Sequence, residues 1–462
     1  MTLPQSEAPA ELVAKYDRSG PRYTSYPTAP VWTDAFGQAE WVAALRQADE
    51  RADQPIAVYV HLPFCQRRCL FCACNVVITK REDVVEEYLA RLFLEIDRTA
   101  AEMPKRRRLS GLHWGGGTPT HLTSDQITRL FRKIEQHWTI LPDAELSIEV
   151  HPPVTSREQL ETLRGLGFNR ISFGVQDMDG EVQELIGRDQ TVDQTEGTLA
   201  VCRELGFSSV NFDLVYGLPG QTAATWDFTL DNVLRLRPDR LAIYSYAHVP
   251  WLHSHQKRMP MERMPEPELK LELLRTAARR LCGEGGYAEI GFDHFAVKED
   301  ELARAVDEKR LYRNFMGYTV RPASDYVGFG VTAISEVGSA FAQTHGKLNR
   351  WNEAVDDGEF AVARGHQLSL DDRVRKLIIE RVMCNQWLGF DEVEALAGRP
   401  FQELFAGQWQ ALAEMEADGL VERGPRHLGI TEMGRLFLRN VCMLFDAYLP
   451  EEEVEGRFSR TV

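Results

Sequence analysis

The feature that most constrains the fold of this chain is a regular alternation of short apolar runs and longer amphipathic segments. It extends from about residue 53 to about residue 290 of the 462. Within each longer segment the apolar residues recur at helical spacing, so each unit is predicted to be a strand followed by a helix. Strand–helix units in series form a parallel sheet through right-handed crossovers. We predict strands at 57–60, 109–114, 146–150, 170–175, 209–214 and 240–244.

Six such units favour a barrel or partial barrel over two mononucleotide-binding halves, although the pattern alone leaves open whether the barrel closes. The predicted fold class is therefore α/β with a partial (βα)6 barrel. From Leu368 the pattern changes to amphipathic helices with a hairpin-like segment at 420–430, which is typical of a small helical domain with a wing. We predict an N-terminal capping segment at 1–52, a barrel core at 53–362 and a C-terminal, mainly helical, winged-helix-like domain at 363–462.

The charge of the chain argues against nucleic acid as a partner. The net charge is −16, whereas nucleic-acid-binding proteins usually carry a basic surface. The segment Met1–Glu7 has neither a basic nor an apolar region of the kind that a signal peptide needs, and no apolar run is long enough to cross a bilayer. We therefore predict a cytoplasmic protein without membrane insertion. Stable disulfides are rare in that compartment, so clustered cysteines indicate metal or redox chemistry.

Four of the eight cysteines lie within ten residues, directly after the first predicted strand. Cys65, Cys69, Cys72 and Cys74 have the spacing C-x3-C-x2-C-x-C. Structural zinc sites usually use two separated C-x2-C pairs, and this cluster is too tight for that pattern. Closely spaced loop cysteines are typical of iron–sulfur centres. The spacing therefore favours an iron–sulfur centre, with zinc and thiol redox chemistry as weaker alternatives.

Polar and glycine residues follow the other predicted strands. Ligands of parallel α/β proteins bind at the carboxyl ends of the strands, so we expect these residues to share one rim. Read singly, each is a weak signal, because a glycine turn is common, a strand-end carboxylate often caps a helix, and an arginine is most often at the surface. The residues are Gly115, Gly116, Gly117, Thr118, Glu149, Gln176, Asp177, Arg188, Asp213, Ala247 and His248.

Cys65-x3-Cys69-x2-Cys72, with Phe71 before the third cysteine, resembles the signature of radical S-adenosylmethionine enzymes. In that family three cysteines bind three irons of a [4Fe–4S] cluster, and the fourth iron stays open for S-adenosylmethionine. The resemblance implies that Cys65, Cys69 and Cys72 are the cluster ligands and that Cys74 is not. It also implies that the partial barrel is of the radical S-adenosylmethionine type.

A longer set of motifs resembles the oxygen-independent coproporphyrinogen III oxidases. These enzymes oxidatively decarboxylate two propionates of coproporphyrinogen III to vinyl groups, giving protoporphyrinogen IX in haem biosynthesis. The resemblance implies an oxidoreductase that uses a 5′-deoxyadenosyl radical from S-adenosylmethionine and receives electrons from a donor protein, and we predict a monomer. The motifs lie at 20–27, 59–65, 74, 113–120, 174–177, 213–219, 246–248, 293–296 and 313–315, and at Phe458-Ser459-Arg460.

The resemblance also implies two S-adenosylmethionine molecules beside the cluster. The first is expected to contact Tyr59, Gly116, Glu149 and Ile334. The second is expected to contact Phe71, Gly117, Thr118, Gln176, Arg188, Asp213 and Ala247. Tyr59, Glu149 and Arg22 are the candidate catalytic residues, Arg22 because its loop could fold over the barrel mouth and meet substrate carboxylates. Met316 stands where members of the family have glutamine, and a thioether cannot donate a hydrogen bond.

Two alternatives come from related proteins. One is a haem-binding chaperone of the same superfamily, and the other is a radical enzyme that opens the haem ring. The chaperones have phenylalanine where Cys74 stands and lack the loop Arg-Tyr-Thr-Ser-Tyr-Pro at 22–27, so both features favour the oxidase. The segment 328–333 matches G-x-G-x-x-A but lies outside a clean βαβ unit, within residues 291–360 that we predict to be irregular.

Overall fold

The computed structural model describes residues 9–321, 323 and 325–449. The predicted motif Phe458-Ser459-Arg460 lies outside the described residues. The strands are β1 Ile56–Leu62, β2 Phe64–Cys65, β3 Val77–Ile78, β4 Arg108–Gly116, β5 Thr139–Val150, β6 Arg170–Gln176, β7 Ser209–Tyr216, β8 Arg240–Ser245, β9 Tyr287–Ile290, β10 His294–Val297, β11 Tyr312–Asn314, β12 Gly317–Thr319, β13 Tyr326–Phe329, β14 Ile334–Val337, β15 Ala340–Thr344, β16 Val362–Gln367, β17 Trp387–Gly389, β18 Val421–Arg423 and β19 His427–Ile430.

The helices alternate with the strands through the first two thirds of the chain. None of them, within the part of the chain that the structure describes, is both long and apolar enough to cross a membrane. The helices are α1 Ala10–Tyr16, α2 Gln38–Asp49, α3 Glu82–Glu102, α4 Ser124–Glu135, α5 Arg157–Gly165, α6 Gly180–Leu185, α7 Val192–Leu205, α8 Ala223–Leu236, α9 Pro267–Gly283, α10 Glu301–Asp307, α11 Leu348–Asp356, α12 Leu370–Asn385, α13 Phe390–Ala397, α14 Phe401–Leu404, α15 Ala406–Ala417 and α16 Leu438–Met443.

The larger of two compact units contains the described residues of Thr33–Leu274 and Ala323–Gln367. Its sheet has the order β16-β15-β14-β13-β1-β4-β5-β6-β7-β8. The pairs from β13 through β1 and β4 to β8 are parallel, and β14 to β16 run antiparallel. All six predicted strands are present in this parallel run, each followed by a helix. The predicted α/β class is confirmed.

Alternate residues along the parallel strands differ in burial and polarity. On β1, Val58 and Val60 are fully buried, whereas Tyr59 between them is only partly buried. The same alternation places Ile148 in the core and Glu149 beside it on the opposite face of β5. Because side chains of a strand point to opposite faces with a period of two, the sheet has one apolar face and one polar face. The polar face can therefore carry chemistry without disturbing the core.

The prediction that residues 291–360 are irregular is wrong, because β10, α10, β11 and β12 lie in the first half of this range and further strands lie in the second. Residues 326–344 form β13, β14 and β15, and β13 pairs in parallel with β1. These strands are only four or five residues long, and the glycines at 328 in β13 and at 330 and 338 in the turns hide the strand pattern. One of these, Gly328, lies so close to β14 that a Cβ there would be 2.4 Å from the backbone oxygen of Ile334. The G-x-G-x-x-A match is thus a tight antiparallel turn, as its context outside a βαβ unit indicated.

The smaller compact unit contains the described residues of Met1–Trp32, Arg275–Pro322 and Leu368–Val462. Helix α12, which begins after the Ser369 cap, packs with α13 to α16 around a core that includes Ile378 and Phe401. Strands β17, β19 and β18 form the predicted wing beside these helices. The C-terminal, mainly helical region with a wing is therefore present.

N-terminal residues belong to this smaller unit through hydrogen bonds to its C-terminal part. The Tyr23 hydroxyl donates to Asp446 at 2.9 Å, and the Asn440 side chain donates to the backbone oxygen of Tyr16 at 2.7 Å. The sequence showed an aromatic loop but not its partner. The division into consecutive segments at residues 52 and 362 stays a prediction.

A network of buried charged residues lies in the larger unit, just before β13 begins. Asp325 is 2% exposed and accepts hydrogen bonds from Arg51 at 2.8 Å and from the Gly338 amide at 2.7 Å. It also pairs with Arg106, whose side chain is fully buried. Burying these charges is tolerated only because each is paired and hydrogen-bonded.

We expect Asp325→Ala to lower the free energy of unfolding by about 3–5 kcal/mol, since it leaves a buried guanidinium without its partner. The measurement is urea denaturation followed by circular dichroism. Glu102→Ala is the control, because it breaks the pair with Arg46, whose side chain is 68% exposed. Exposed pairs contribute only about 0–1 kcal/mol. Equal losses in the two variants would contradict the importance of this network.

Candidate active site

A cavity of about 600 Å³ opens at the carboxyl ends of the parallel strands in the larger unit. Its volume suits a ligand of nucleoside size or larger. The strands contribute to it in order, because the carboxyl ends of parallel strands meet at one edge of the sheet. The predicted site residues that line it are Cys65, Cys69, Phe71, Cys72, Gly116, Gly117, Thr118, Glu149, Gln176, Arg188 and Asp213, and Cys74 lines it as well.

Four predicted site residues lie elsewhere. Tyr59 is on the polar face of β1, one layer below the cavity lining. Ile334 begins β14, and Ala247 is exposed just after β8. Arg22 is in the smaller unit, where it is half-buried. The predicted contacts of these four residues with ligands stay predictions.

The cysteines lie on a loop that is held at both ends. Strand β2 pairs in parallel with β3, so that Phe64 lies beside Val77. Residues 66–76 therefore form a loop that begins and ends at two paired strands. Inside this loop the Leu70 amide donates to the backbone oxygen of Ile186 at 2.8 Å. The Arg68 side chain donates to the backbone oxygen of Val76 at 2.9 Å. Strand pairing and hydrogen bonds therefore hold the loop at its ends and in its middle.

Each predicted cluster ligand has a hydrogen-bonding neighbour at its sulfur. Thr118 Oγ1 lies 3.5 Å from Cys65 Sγ, and the Cys74 amide donates to Cys72 Sγ at 3.4 Å. Arg188 Nη1 donates to Cys69 Sγ at 3.7 Å. Hydrogen bonds of this kind support thiolate and stabilise negative charge on a metal-bound sulfur.

The thiols differ in their readiness to ionise. Burial raises the pKa of Cys65 to about 11. Hydrogen bonding from Cys74 lowers the pKa of Cys72 to about 7, despite the opposing effect of burial. Since the thiolate is the form that binds metal, the lowered pKa of Cys72 favours a role as a ligand.

The glycine run after β4 lies against the start of the cysteine loop. The Gly117 amide donates to the backbone oxygen of Leu62 at 2.9 Å, and the Thr118 amide donates to that of Phe64 at 2.8 Å. A Cβ on Gly117 would be 2.7 Å from the Phe64 oxygen, closer than atoms in contact can approach. Gly116 has φ +116°, a conformation that favours glycine. The glycines are therefore required by the close approach of two strand ends.

Glu149 is the centre of a polar network on the inner face of the sheet. Its carboxylate accepts from the Gly116 amide at 3.1 Å and lies 3.4 Å from His113 Nε2. His113 Nδ1 lies 2.7 Å from Ser147 Oγ, and the His113 ring stacks on Tyr59 with centroids 5.9 Å apart. Burial alone would raise the pKa of Glu149, but hydrogen bonds from His113 and Gly116 outweigh it and lower that pKa. Glu149 is thus an anion facing the cavity, with 43% of its side chain exposed.

Asp213 has a similar supporting set on the next strands. Ser172 Oγ donates to Asp213 at 2.8 Å, and the Asn211 side chain donates to it at 2.9 Å. Sequence analysis missed Ser147, Ser172 and Asn211, which hold the two carboxylates. Their signal was present, because each is a polar residue at an inward position of an otherwise apolar strand.

Arg188 is buried, although an arginine taken alone is most often at the surface. It is 8% exposed and donates to the backbone oxygen of Gly174 and, at 2.9 Å, to Gln190. Its buried Nε has no partner among the described residues. An unpaired buried donor on a cation is unusual, and this one belongs to a residue that lines the cavity. Arg188 therefore places a fixed positive charge beside the cysteines.

Comparison with known proteins agrees with this geometry. The model of the radical SAM superfamily matches residues 59–233, and that of the HemN C-terminal domain matches residues 368–437. The oxygen-independent coproporphyrinogen III oxidase of Pseudomonas aeruginosa is 41% identical over 98% of each chain. The enzyme of the same name from Escherichia coli is 40% identical over the whole length of both chains.

The chain belongs to the oxygen-independent coproporphyrinogen III oxidase family.

Its fold is that of a solved member of this family. The structure described as "Coproporphyrinogen III oxidase (HemN) from Escherichia coli is a Radical SAM enzyme" has a TM-score of 0.91 and 39% identity. The match covers 96% of this chain and all of that one. Membership in the radical S-adenosylmethionine superfamily implies a [4Fe–4S] cluster and S-adenosylmethionine as cofactors.

The residues present fit these cofactors. Among the described residues, no three His, Cys, Asp or Glu side chains converge closely enough to hold a single metal ion. Three ligands of a [4Fe–4S] cluster bind three different irons, so they are expected to stand further apart than ligands of one ion. Cys65, Cys69 and Cys72 line one cavity with a donor at each sulfur, which suits a cluster with one open iron facing that cavity.

We expect Gly117→Ala to displace the cysteine loop, because the new methyl group would collide with backbone rather than with a flexible side chain. The variant should bind well under half of the iron and sulfide that the unchanged protein binds after anaerobic reconstitution. Gly111→Ala on the same strand is the matched control, since its Cβ would meet Ala57 at an ordinary 3.4 Å. Full iron content in Gly117→Ala would contradict this expectation, because it would show that the variant still binds the cluster.

Proposed function

We propose that this chain oxidatively decarboxylates two propionates of coproporphyrinogen III to vinyl groups, giving protoporphyrinogen IX in haem biosynthesis without oxygen. Each conversion removes carbon dioxide, one proton and two electrons from a propionate. The observation that carries the proposal is the cavity that unites three cysteines, two carboxylates and a buried arginine in a chain related over its full length to enzymes of this name.

We propose that Cys65, Cys69 and Cys72 hold the cluster and that Cys74 acts only by hydrogen bonding to Cys72 through its amide and its side chain. When bound, the reduced cluster and S-adenosylmethionine supply the one-electron chemistry that generates a 5′-deoxyadenosyl radical. The described residues contribute what surrounds that chemistry. They position the ligands and exclude water and oxygen from the reacting atoms.

We infer that two S-adenosylmethionine molecules bind in the order that the family resemblance implies. Glu149 is the acceptor for the first, together with Tyr59, Gly116 and Ile334. Its lowered pKa supports this role, because a carboxylate attracts the ammonium group of the methionine end. Asp213 is the acceptor for the second, and the other proposed contacts of that molecule are Phe71, Gly117, Thr118, Gln176, Arg188 and Ala247.

The carboxylates of the substrate require cations. Arg68 and Lys80 line the cavity and are candidates alongside Arg22, which we retain as a catalytic candidate on its loop position. Arg67 also lines the cavity, but it is paired with Asp189. We propose that the protein acts as a monomer in the cytoplasm, where a separate protein supplies electrons to it. The haem-chaperone and ring-opening alternatives have less support, because the named relatives are oxidases.

We expect Glu149→Gln to weaken the binding of S-adenosylmethionine at least tenfold, since it removes the negative charge that faces an ammonium group. Equilibrium dialysis on the cluster-loaded protein measures this. Glu145→Gln is the control on the same strand, because Glu145 is paired with Arg170 at 3.0 Å and does not line the cavity. Unchanged affinity in Glu149→Gln would remove Glu149 from the proposed site.

The decisive experiment for the function is anaerobic. The cluster is reconstituted, and dithionite, S-adenosylmethionine and coproporphyrinogen III are added. We expect protoporphyrinogen IX and 5′-deoxyadenosine to form together. A protein with an intact cluster that cleaves S-adenosylmethionine but never decarboxylates this substrate would refute the assignment.

A further inference from the structure

The loop between β8 and α9 touches the cysteine loop directly. The His255 ring donates through Nε2 to the backbone oxygen of Cys72 at 2.7 Å. The Gln256 side chain donates to the backbone oxygen of Phe71 at 3.1 Å. These two contacts join residues 249–264 to the predicted cluster ligand Cys72 through hydrogen bonds and one peptide unit.

This segment is tightly folded around Gln256, which is fully buried. The side-chain oxygen of Gln256 accepts from the backbone amide of Val249 at 2.7 Å. The backbone amide of Gln256 donates to the backbone oxygen of His253 at 2.9 Å. The Leu252 amide donates to Val249 at 2.9 Å. The outer turn at Trp251 and Leu252 is therefore a rigid structure whose inner side contacts the cysteine loop.

The outer side of the same segment is apolar and basic. Trp251 is 62% exposed, Leu252 71% and Met261 51%. Lys257 and Arg258 are exposed, and no hydrogen bond or ion pair joins their side chains to any described residue. We call these five residues the Trp251 patch. An exposed cluster of large apolar side chains rimmed by charge is characteristic of an interaction surface.

The charge of this segment differs in sign from that of the whole protein. Residues 249–264 contain Lys257, Arg258 and Arg263 against one acid, Glu262, in a chain of net charge −16. Arg263 is paired with Glu181, which leaves Lys257 and Arg258 as the exposed cations of the segment without an ion pair to any described residue. A local positive field on an acidic protein selects for partners of negative charge and steers them to one place.

We propose that the Trp251 patch is the docking surface for the electron donor, and that this donor is a small acidic protein that carries one electron. The inference rests on the proposed function, because only a redox cluster needs such a partner. The donor loses one electron and the cluster gains it, and no bond forms or breaks. Electron-transfer encounters use small, transient interfaces, and an exposed tryptophan in a segment with exposed cations suits one.

The test follows cluster reduction rather than product formation. A reduced, strongly acidic flavodoxin serves as the probe donor, and the cluster-loaded protein is mixed with it anaerobically in a stopped-flow absorbance experiment. We expect K257E/R258E to slow reduction at least about tenfold at an ionic strength of about 0.01 M, with a smaller effect at about 0.15 M, because salt screens the interaction. Trp251→Ala should slow reduction at both salt concentrations, since its contribution is apolar.

The matched control is K105E/R108E, which makes the same change of charge. Arg108 is the first residue of β4 and Lys105 precedes it, so both lie at the end of the strand opposite to the edge that carries the cysteines. Reduction by dithionite is measured for every variant, together with its iron content. Slower reduction of the patch variants by flavodoxin, together with unchanged reduction by dithionite, supports the docking surface. Equal loss with dithionite, an equal effect of the control, or unchanged rates would overturn it. If wild-type protein accepts electrons from flavodoxin but does not decarboxylate coproporphyrinogen III, the proposed function fails while the docking surface stands.

Discussion

The site depends on the backbone contact between the ends of β1 and β4. The Gly117 amide donates to Leu62, and the Thr118 amide donates to Phe64, with no room for a side chain at Gly117. Parallel pairing of β1 with β4 sets this contact, because it aligns His61 with Gly115 and Leu62 with Gly116. The cysteine loop and the glycine run are far apart in sequence, yet they form one wall of the cavity because the sheet places their strand ends side by side.

The polar face of the sheet then determines the charges that the cavity presents. Glu149 and Asp213 are held by neighbours from adjacent strands, and Arg188 is buried beside Cys69. Arg188 also donates to Gly174 on β6, the strand between β5 with Glu149 and β7 with Asp213, so fixed charges of both signs line one cavity. Such a set of charges suits a zwitterionic ligand near an anionic cluster, since each charged group finds a fixed partner and little reorganisation is needed.

The six parallel strands are where the pattern of the sequence predicted them. Eleven of the predicted site residues line one cavity at the carboxyl ends of these strands, while their contacts with ligands stay predictions. The short strands β13 to β15 were missed, because runs of four or five residues are too short to show a periodicity. Arg188 alone was indistinguishable from a surface arginine, since its burial depends on Gly174 and Gln190 around it.

The sequence by itself determined the α/β class and the order of the strands along the chain, and its cysteine spacing favoured an iron–sulfur centre. These follow from local periodicity and from spacing, which involve residues close together in the chain. Only the tertiary structure decided which polar residues support Glu149 and Asp213, that Gly117 must lack a side chain, and that the β8–α9 loop contacts Cys72. Those facts are distances between residues remote in sequence, and they are set by strand register and loop packing rather than by any local pattern.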